Sequence, residues 1–239
     1  PKALLRRVSD LKNEMIGAEQ FGRGELDRDD AVVAEAYLGY QRRLRAANAV
    51  DFDDLIMLTV QLLRNNPQIA EHYRRRFRHV LVDEYQDTNT AQYELIRELV
   101  GDETDDPHGE LTVVGDADQS IYAFRGATIR NIQDFEKDFT DARSILLEQN
   151  YRSTQNILSA ANAVISNNAG RRPKRLWTDS GSGEKIVGYV ADAQSDEASF
   201  VVEEIDALRD KGMKYGDIAV FYRTNAQSRA LEEMFVRSG

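Results

Sequence analysis

Two adjacent carboxylates, Asp83 and Glu84, follow a short apolar run and are well placed for phosphate chemistry. The run at residues 79–82 is β-branched and apolar and too short for a helix, which predicts a buried strand. Both acids then lie at the carboxyl end of that strand, where open α/β sheets bind their ligands. Asp83 can hold Mg²⁺ through its waters, and Glu84 can orient a water for attack on a γ-phosphate. The alternative is an ordinary strand end with solvated acids.

A second apolar run, at residues 111–115, also leads into a polar turn, which carries Gln119. A neutral amide in this position can hydrogen-bond a phosphate or the attacking water. Just beyond it, two aromatic faces and a cation, Tyr122, Phe124 and Arg125, suit stacking on unpaired bases. The alternative is that both aromatics are core residues, but their polar, glycine-flanked segment favours the stacking interpretation.

A third polar turn, at residues 149–153, stands between an apolar run and the predicted helix Gln155–Ile165. Tyr151 can stack on a planar base, and Arg152 can reach a transferring phosphoryl group. A helix cap formed by the hydroxyl residues of the turn accounts for the same pattern and is compatible with both functions.

The elements around these turns fall into two parts. Residues 1–77 have helical periodicity almost throughout, whereas strand and helix signals alternate after residue 77. This alternation predicts an α/β fold with mostly parallel sheets. The predicted strands are His79–Asp83, Leu111–Gly115, Ser144–Glu148, Lys185–Val190 and Ile218–Arg223. A helix over Asn89–Val100 is predicted to begin with a capping box of Asn89 and Gln92.

Composition restricts the class of protein. A net charge of −10 argues against nucleic-acid binding through a broad basic surface, so such binding must depend on aromatic stacking as much as on charge. The absence of cysteine excludes disulfides and thiolate metal sites, and a cytoplasmic location is expected. Because no apolar run approaches the ~20 residues of a membrane span, no membrane partner is expected.

In this order the three turns resemble motifs II, III and IV of the superfamily 1A DNA helicases of the PcrA/UvrD/Rep family. The matching segments are DEYQDTN at 83–89, GDADQSIYAFRGA at 115–127 and LEQNYRS at 147–153. The segments Asp51–Leu55 and Tyr222–Arg229 also resemble sequences of this family, so the resemblance covers essentially all 239 residues. The PcrA/UvrD branch fits best.

The resemblance implies a P-loop NTPase fold with RecA-like cores, parallel sheets and a helical subdomain, present as partial domains only. Residues 1–77 then correspond to the C-terminal part of helical subdomain 1B. Residues 78–148 correspond to the later part of core 1A, and residues 149–239 to the first part of core 2A. ATP is expected in the cleft between the cores.

The resemblance also implies a role for each residue of the nucleotide site. Asp83 is similar to the Mg²⁺ ligand, and Glu84 to the water-activating acid. Gln119 resembles the γ-phosphate sensor that couples hydrolysis to DNA binding. Tyr151 resembles the residue that stacks on adenine, and Arg152 resembles the first of two arginine fingers. ATP and Mg²⁺ are therefore the expected cofactors.

Further positions match contacts to single-stranded DNA in the family. The main contacts are Tyr122, Phe124 and Arg125, and lesser contacts are Phe52, Arg223 and Asn225. Phe124 stands where many relatives have tryptophan. Because phenylalanine has a smaller face, somewhat weaker stacking is expected.

The sequence departs from the family at the P-loop. No G-x-x-x-x-G-K-[ST] occurs in the chain. Residues 17–24 have the glycine spacing, but Arg23 replaces lysine, Gly24 replaces the hydroxyl residue, and no strand precedes them. The resemblance therefore implies an internal fragment of a helicase that cannot hydrolyse ATP alone.

The whole protein is expected to be an ATP-dependent helicase that moves 3′ to 5′ on single-stranded DNA and acts at single-strand/duplex junctions in DNA repair or replication. Repair or transcription proteins are expected partners, and the expected state is a monomer or weak dimer. One alternative is a non-catalytic DNA- or partner-binding module that retains the fold. Another is a helicase–nuclease subunit of the RecB or AddA type.

Overall fold

The structure, a computed structural model, describes residues 2–102, 105, 108–168 and 174–238. The chain divides into two compact units. The first comprises Pro1–Leu147 with Ile165–Lys174, and the second comprises Glu148–Val164 with Arg175–Gly239. None of the helices in the described part of the chain has the length and apolarity that a bilayer crossing demands.

The first unit opens with helices, as the periodicity predicted. They are α1 (Lys2–Asn13), α2 (Ala18–Phe21), α3 (Arg28–Ala46), α4 (Phe52–Asn65) and α5 (Pro67–Arg76). Helix α3 begins where the Asp27 carboxylate accepts hydrogen bonds from two backbone N–H groups of its first turn. Pro67 stands at the start of α5, where its missing N–H costs no helical hydrogen bond.

The core of this helical part lies between α1, α2 and α3. Val8, Leu11, Ala18 and Tyr37 are buried together there. The hydroxyl of Tyr37 donates a hydrogen bond to the backbone oxygen of Ile16 at 3.2 Å, so the buried ring has its polar end satisfied. This contact holds α3 against the turn that follows α1.

The sheet of the first unit consists of β1 (His79–Val82) and β2 (Glu110–Val113), which pair in parallel. His79 lies opposite Glu110, and the register continues to Val82 opposite Val113. Helix α6 (Thr90–Val100) connects the two strands and begins with the predicted capping box of Asn89 and Gln92. The predicted α/β fold with a parallel sheet is therefore confirmed, as are the first two strands and α6.

The remaining helices are short in the first unit and longer in the second. They are α7 (Arg130–Gln133), α8 (Phe135–Asp138), α9 (Gln155–Ile165), α10 (Gln194–Asp210) and α11 (Asn225–Ser238). Helix α9 has the bounds that the sequence predicted. In the second unit Tyr189 stacks on Phe200 of α10, with 4.1 Å between the ring centroids.

Three predicted strands are wrong for the described structure: Ser144–Glu148, Lys185–Val190 and Ile218–Arg223. Next to the first of them there is one isolated bridge, between Gln149 and Trp177. The apolar residues of these segments are largely exposed, with Leu147 at 77%, Val190 at 95% and Phe221 at 93%. A strand forms only against a ladder partner, and in the described structure none of the three segments belongs to a sheet.

Candidate functional site

The two carboxylates occupy a tight turn directly after β1. Asp83 and Glu84 are both exposed, and an Asp83 oxygen accepts a hydrogen bond from the Glu84 backbone N–H at 2.9 Å. Glu84 has a left-handed backbone, with φ 50° and ψ 42°, which is unfavourable for a residue with a side chain. Strand β1 ends at Val82, and the left-handed Glu84 leads into a 3₁₀ turn over Tyr85–Asp87.

Gln86 lies buried beneath this turn, with 1% of its surface exposed. Its side-chain nitrogen donates to the Glu84 carboxylate at 2.8 Å, and its side-chain oxygen accepts from the Asp116 backbone N–H at 2.9 Å. Because a backbone N–H can only donate, the Asp116 contact determines which end of the amide faces Glu84. The turns after β1 and β2 are thus joined through one side chain.

The turn after β2 is organised around Asp116. Its carboxylate accepts hydrogen bonds from the Gln119 side chain and from the Asp118 backbone N–H, each at 2.9 Å. Lys174 forms an ion pair with Asp116 and, at 3.2 Å, with Asp118. Burial alone raises the pKa of the Asp116 carboxyl, but the hydrogen bonds from Lys174 and Gln119 outweigh it and hold that pKa below its usual range. Asp116 is therefore ionised at neutral pH.

Gly115 makes room for the buried amide. A Cβ at this position would lie 2.6 Å from the side-chain oxygen of Gln86 and 3.1 Å from the backbone nitrogen of Tyr85. The backbone nitrogen cannot move aside because it donates to the Val114 oxygen at 3.0 Å. Glycine thus permits the close approach of the two turns.

The acids of this site fit Mg²⁺ in one binding mode. Among the residues that the structure describes, no three or more His, Cys, Asp or Glu side chains are grouped to enclose a metal ion. Mg²⁺ commonly keeps several waters and uses one or two carboxylates together with the substrate's phosphates. The exposed Asp83 carboxylate at the strand end supplies a suitable oxygen for that mode.

Tyr151 and Arg152 belong to the second unit, in the turn before α9. The Asn150 side chain closes this turn by accepting hydrogen bonds from the backbone N–H groups of Arg152, at 2.9 Å, and Ser153, at 2.7 Å. Tyr151 is 82% exposed, and its hydroxyl donates to the Gln149 side chain at 2.9 Å. Both predicted ligand residues therefore present accessible side chains on a turn fixed by Asn150.

Tyr122 and Phe124 form an aromatic pair after the Gln119 turn. Their ring centroids are 5.8 Å apart, with a tilt of 43° between the ring planes. Phe124 is 63% exposed and Tyr122 37% exposed, so neither ring is buried by the described residues of this chain. The 3₁₀ turn Ala123–Arg125 ends at Gly126, whose φ of 83° suits glycine. The side chain of Arg125 lies outside the described part of the chain.

Phe52, the first residue of α4, is 88% exposed. It follows Asp51, whose carboxylate accepts from the Asp54 backbone N–H at 2.8 Å and caps the helix. Lys12 of α1, with a fully buried side chain, contacts both acids, at 2.6 Å from Asp51 and 2.9 Å from Asp54. The exposed ring therefore stands on a helix start held by a buried cation.

The same helix start is connected to the beginning of α6. Asn13 of α1 donates to the Asp53 side chain at 3.3 Å. Asn89, the cap of α6, donates to the Asn13 side-chain oxygen at 2.8 Å. A polar contact path therefore runs from the beginning of α4 to the beginning of α6.

Arg223 and Asn225 lie at the start of α11 in the second unit, and both are exposed. The Gln227 side-chain oxygen accepts hydrogen bonds at 2.9 Å from the backbone N–H groups of Arg223 and Thr224. The predicted lesser DNA contacts thus have a defined backbone turn.

The first unit brings Asp83, Glu84 and Gln119 together at the carboxyl ends of two adjacent parallel strands. Three residues that stabilise the site were not singled out from the sequence: Lys12, Gln86 and Lys174. For Lys12 a signal existed, because it follows the buried Val8 by four residues and so lies on the same helix face. Gln86 lies in the DEYQDTN segment and Lys174 in a basic run of the sequence, but neither pattern indicates the contacts that these side chains make.

Comparison with known families assigns both parts of the chain. Residues 2–140 match the UvrD/REP helicase N-terminal domain. Residues 145–239 match the UvrD-like helicase C-terminal domain. The two matches together account for nearly the whole chain.

Individual relatives resemble the chain along its full length. It is 67% identical over 245 residues to the ATP-dependent DNA helicase UvrD1 of Mycobacterium tuberculosis (strain H37Rv). It is 63% identical over 248 residues to UvrD1 of Mycobacterium leprae, and 50% identical over 238 residues to the ATP-dependent DNA helicase PcrA of Staphylococcus aureus. In each case the alignment covers 100% of this chain and 32% of the relative. The chain therefore spans about a third of the length of these relatives.

Proposed function

Because the chain belongs to the UvrD/REP helicase family, we propose that it forms part of an ATP-dependent DNA helicase. The observation that carries the proposal is the position of Asp83, Glu84 and Gln119 at the ends of neighbouring parallel strands. This edge of an α/β sheet is where phosphate ligands bind. The names of the relatives, which are ATP-dependent DNA helicases, support the same activity.

In this proposal the first unit performs the phosphate chemistry. Asp83 binds Mg²⁺, which when bound neutralises charge on the phosphate oxygens. Glu84 orients and activates the attacking water, and the Gln119 amide contacts the γ-phosphate. The exposure of all three side chains leaves them accessible to a nucleotide.

The second unit contributes two side chains. Tyr151, with its exposed ring, stacks on the adenine base. Arg152 stabilises the negative charge of the transferring phosphoryl group as an arginine finger. The turn closed by Asn150 orients the backbone of Arg152 for this role.

Single-stranded DNA binds through stacking more than through charge. Phe124 and Tyr122 supply aromatic faces beside Arg125, and the exposed Phe52 adds a further face at the start of α4. Arg223 and Asn225 add polar contacts in the second unit. Because Gln119 and Phe124 lie on consecutive turns, movement of the nucleotide sensor is transmitted to the DNA-binding rings.

The whole protein moves 3′ to 5′ on single strands and acts at junctions with duplex DNA during repair or replication. It acts in the cytoplasm as a monomer or weak dimer, with repair or transcription proteins as partners. Residues 1–77 are the latter part of subdomain 1B, residues 78–148 the later part of core 1A, and residues 149–239 the first part of core 2A. Since the chain lacks a P-loop, it does not hydrolyse ATP by itself.

The test is ATP hydrolysis by the full-length protein, with and without single-stranded DNA, beside its Glu84→Gln variant. We expect hydrolysis that DNA stimulates and that Glu84→Gln stops without loss of nucleotide binding. The chain of 239 residues alone is expected to be inactive. Absence of hydrolysis by the full-length protein would instead favour a non-catalytic DNA- or partner-binding module. Undiminished turnover by Glu84→Gln would remove Glu84 from the mechanism.

A further inference from the structure

A single buried amide joins the two turns of the candidate nucleotide site. The side chain of Gln86 is hydrogen-bonded at both ends, to Glu84 and to the Asp116 backbone N–H. Its backbone oxygen accepts a further hydrogen bond from the Ser120 hydroxyl at 3.3 Å. A polar group that is 1% exposed is costly to leave unpaired, so these contacts favour one orientation of the amide.

The contacts continue from Gln86 to Gln119. The Asp116 carboxylate, whose backbone N–H contacts Gln86, accepts from the Gln119 side chain at 2.9 Å. Glu84, Gln86, Asp116 and Gln119 therefore form an unbroken path of hydrogen bonds. Gln86 is thus the contact that the Asp116 turn and the Glu84 carboxylate share.

We propose that Gln86 is a positioning residue that orients the Glu84 carboxylate, and that this orientation depends on the position of the turn that carries Gln119. Gln86 itself acts on the reaction only through Glu84. The absence of a side chain at Gly115 belongs to the same arrangement, because any Cβ there would displace the amide. The inference rests on the proposed function, since it assigns Gln86 a part in the hydrolysis proposed above.

The first experiment replaces the amide without changing its size much. In the full-length protein, Gln86→Met removes both side-chain hydrogen bonds. We expect kcat for DNA-stimulated ATP hydrolysis to fall about tenfold or more, while KM for ATP and Kd for single-stranded DNA change by less than about twofold. Gln133→Met, at an exposed position of α7, is the matched control and leaves all three values unchanged.

The second experiment tests the coupling to Gln119 with a double-mutant cycle. If Gln86 and Gln119 act through one path, the double variant Gln86→Met/Gln119→Ala is no more than about twofold slower than the slower single variant. If the losses in kcat multiply instead, the two residues act independently and the proposed coupling is overturned.

A kcat of Gln86→Met within about twofold of the unsubstituted protein overturns the inference. If Gln86→Met lowers the melting temperature and weakens ATP binding as well as lowering kcat, Gln86 is a merely structural residue, and this result also overturns the inference. If Gln86→Met does not fold, Gln86→Leu is measured in its place, because it also removes both side-chain hydrogen bonds without adding a charge beside Glu84, and it is expected to lose kcat alone. Absence of hydrolysis in the unsubstituted protein overturns the proposed function as well, whereas an active protein with an active Gln86→Met variant overturns this inference alone.

Discussion

The ammonium group of Lys12 lies 2.6 Å from the carboxylate of Asp51, although the two residues are 39 positions apart in the sequence. The Lys12 side chain is completely buried, and it also contacts Asp54, which is 1% exposed. A buried charge is stable only when it is paired, so each partner depends on the other. The beginning of α4, and with it the exposed Phe52, is held by this contact.

Replacing the buried cation is expected to destabilise the chain strongly. Lys12→Met leaves Asp51 and Asp54 without their counter-charge, and breaking a buried pair in this way costs about 3–5 kcal/mol. Urea unfolding followed by far-UV circular dichroism measures the loss. Lys137→Met, which removes the exposed pair with Asp134, is the control and should leave the unfolding free energy nearly unchanged. An equal effect of both variants would contradict the role of Lys12.

The same ion pair predicts a dependence of stability on acid. Burial alone raises the pKa of the Asp51 carboxyl, but the hydrogen bonds from Lys12 and the Asp54 backbone outweigh it, so its pKa lies below the ordinary 3.8. A carboxyl with a lowered folded-state pKa stabilises the fold above pH 3.8, and this stabilisation is lost as the pH falls further, through the folded-state pKa. The stability difference between the unsubstituted chain and Lys12→Met should therefore shrink in that acid range. A difference independent of pH would mean that packing, not charge, is lost with Lys12.

Removing one exposed ring is expected to weaken DNA binding. Phe124→Ala in the full-length protein should reduce the free energy of single-stranded DNA binding by roughly 1–3 kcal/mol, because stacking on one base is lost. It should also reduce the stimulation of ATP hydrolysis by DNA. Fluorescence anisotropy with a labelled oligonucleotide gives the affinity. Phe77→Ala, at a phenylalanine that is 42% exposed in the same unit, serves as the control and should bind normally. Unchanged affinity of Phe124→Ala would exclude this ring from the interface.

A methyl group at Gly115 is expected to displace the buried Gln86 side chain and so to lower both stability and ATP hydrolysis. Gly115→Ala places a Cβ against the Gln86 amide and the Tyr85 nitrogen, and overpacking of this kind costs about 1–3 kcal/mol. Hydrolysis should fall together with stability, since the amide that contacts Glu84 is displaced. Gly39→Ala in α3, where a Cβ meets no atom within 4 Å, should stabilise the chain instead. Thermal unfolding and ATP turnover of both variants distinguish the two positions.

The sequence predicted those elements whose signals are local. Strand β1, helix α6 and its capping box follow from apolar runs and cap residues that are adjacent in the chain. The segments at 185–190 and 218–223 have equally strong strand signals, yet they are not strands, because pairing depends on partners that a local pattern cannot supply.

In the candidate site, too, the features with a local signal were predicted and those that depend on distant partners were not. The turns that carry Glu84 and Gln119 were predicted from strand ends, and the first unit does place them side by side. The contacts that support the site could not be predicted, since Gln86 reaches Asp116 across 30 positions. The helix face of Lys12 could be read from the sequence, but its partner Asp51, 39 positions away, could not. Contacts at such separations depend on the packing of whole elements.

At Glu84 the backbone conformation and the side chain have opposite requirements, because the left-handed backbone is unfavourable for a glutamate. Glycine or asparagine would adopt this conformation more readily, but neither has a carboxylate. Aspartate tolerates it better than glutamate, but its acid is one methylene nearer the main chain. A substitution of Glu84 by glycine, asparagine or aspartate is therefore expected to stabilise the fold and to impair the proposed hydrolysis at the same time, because it relaxes the backbone but removes or moves the carboxylate.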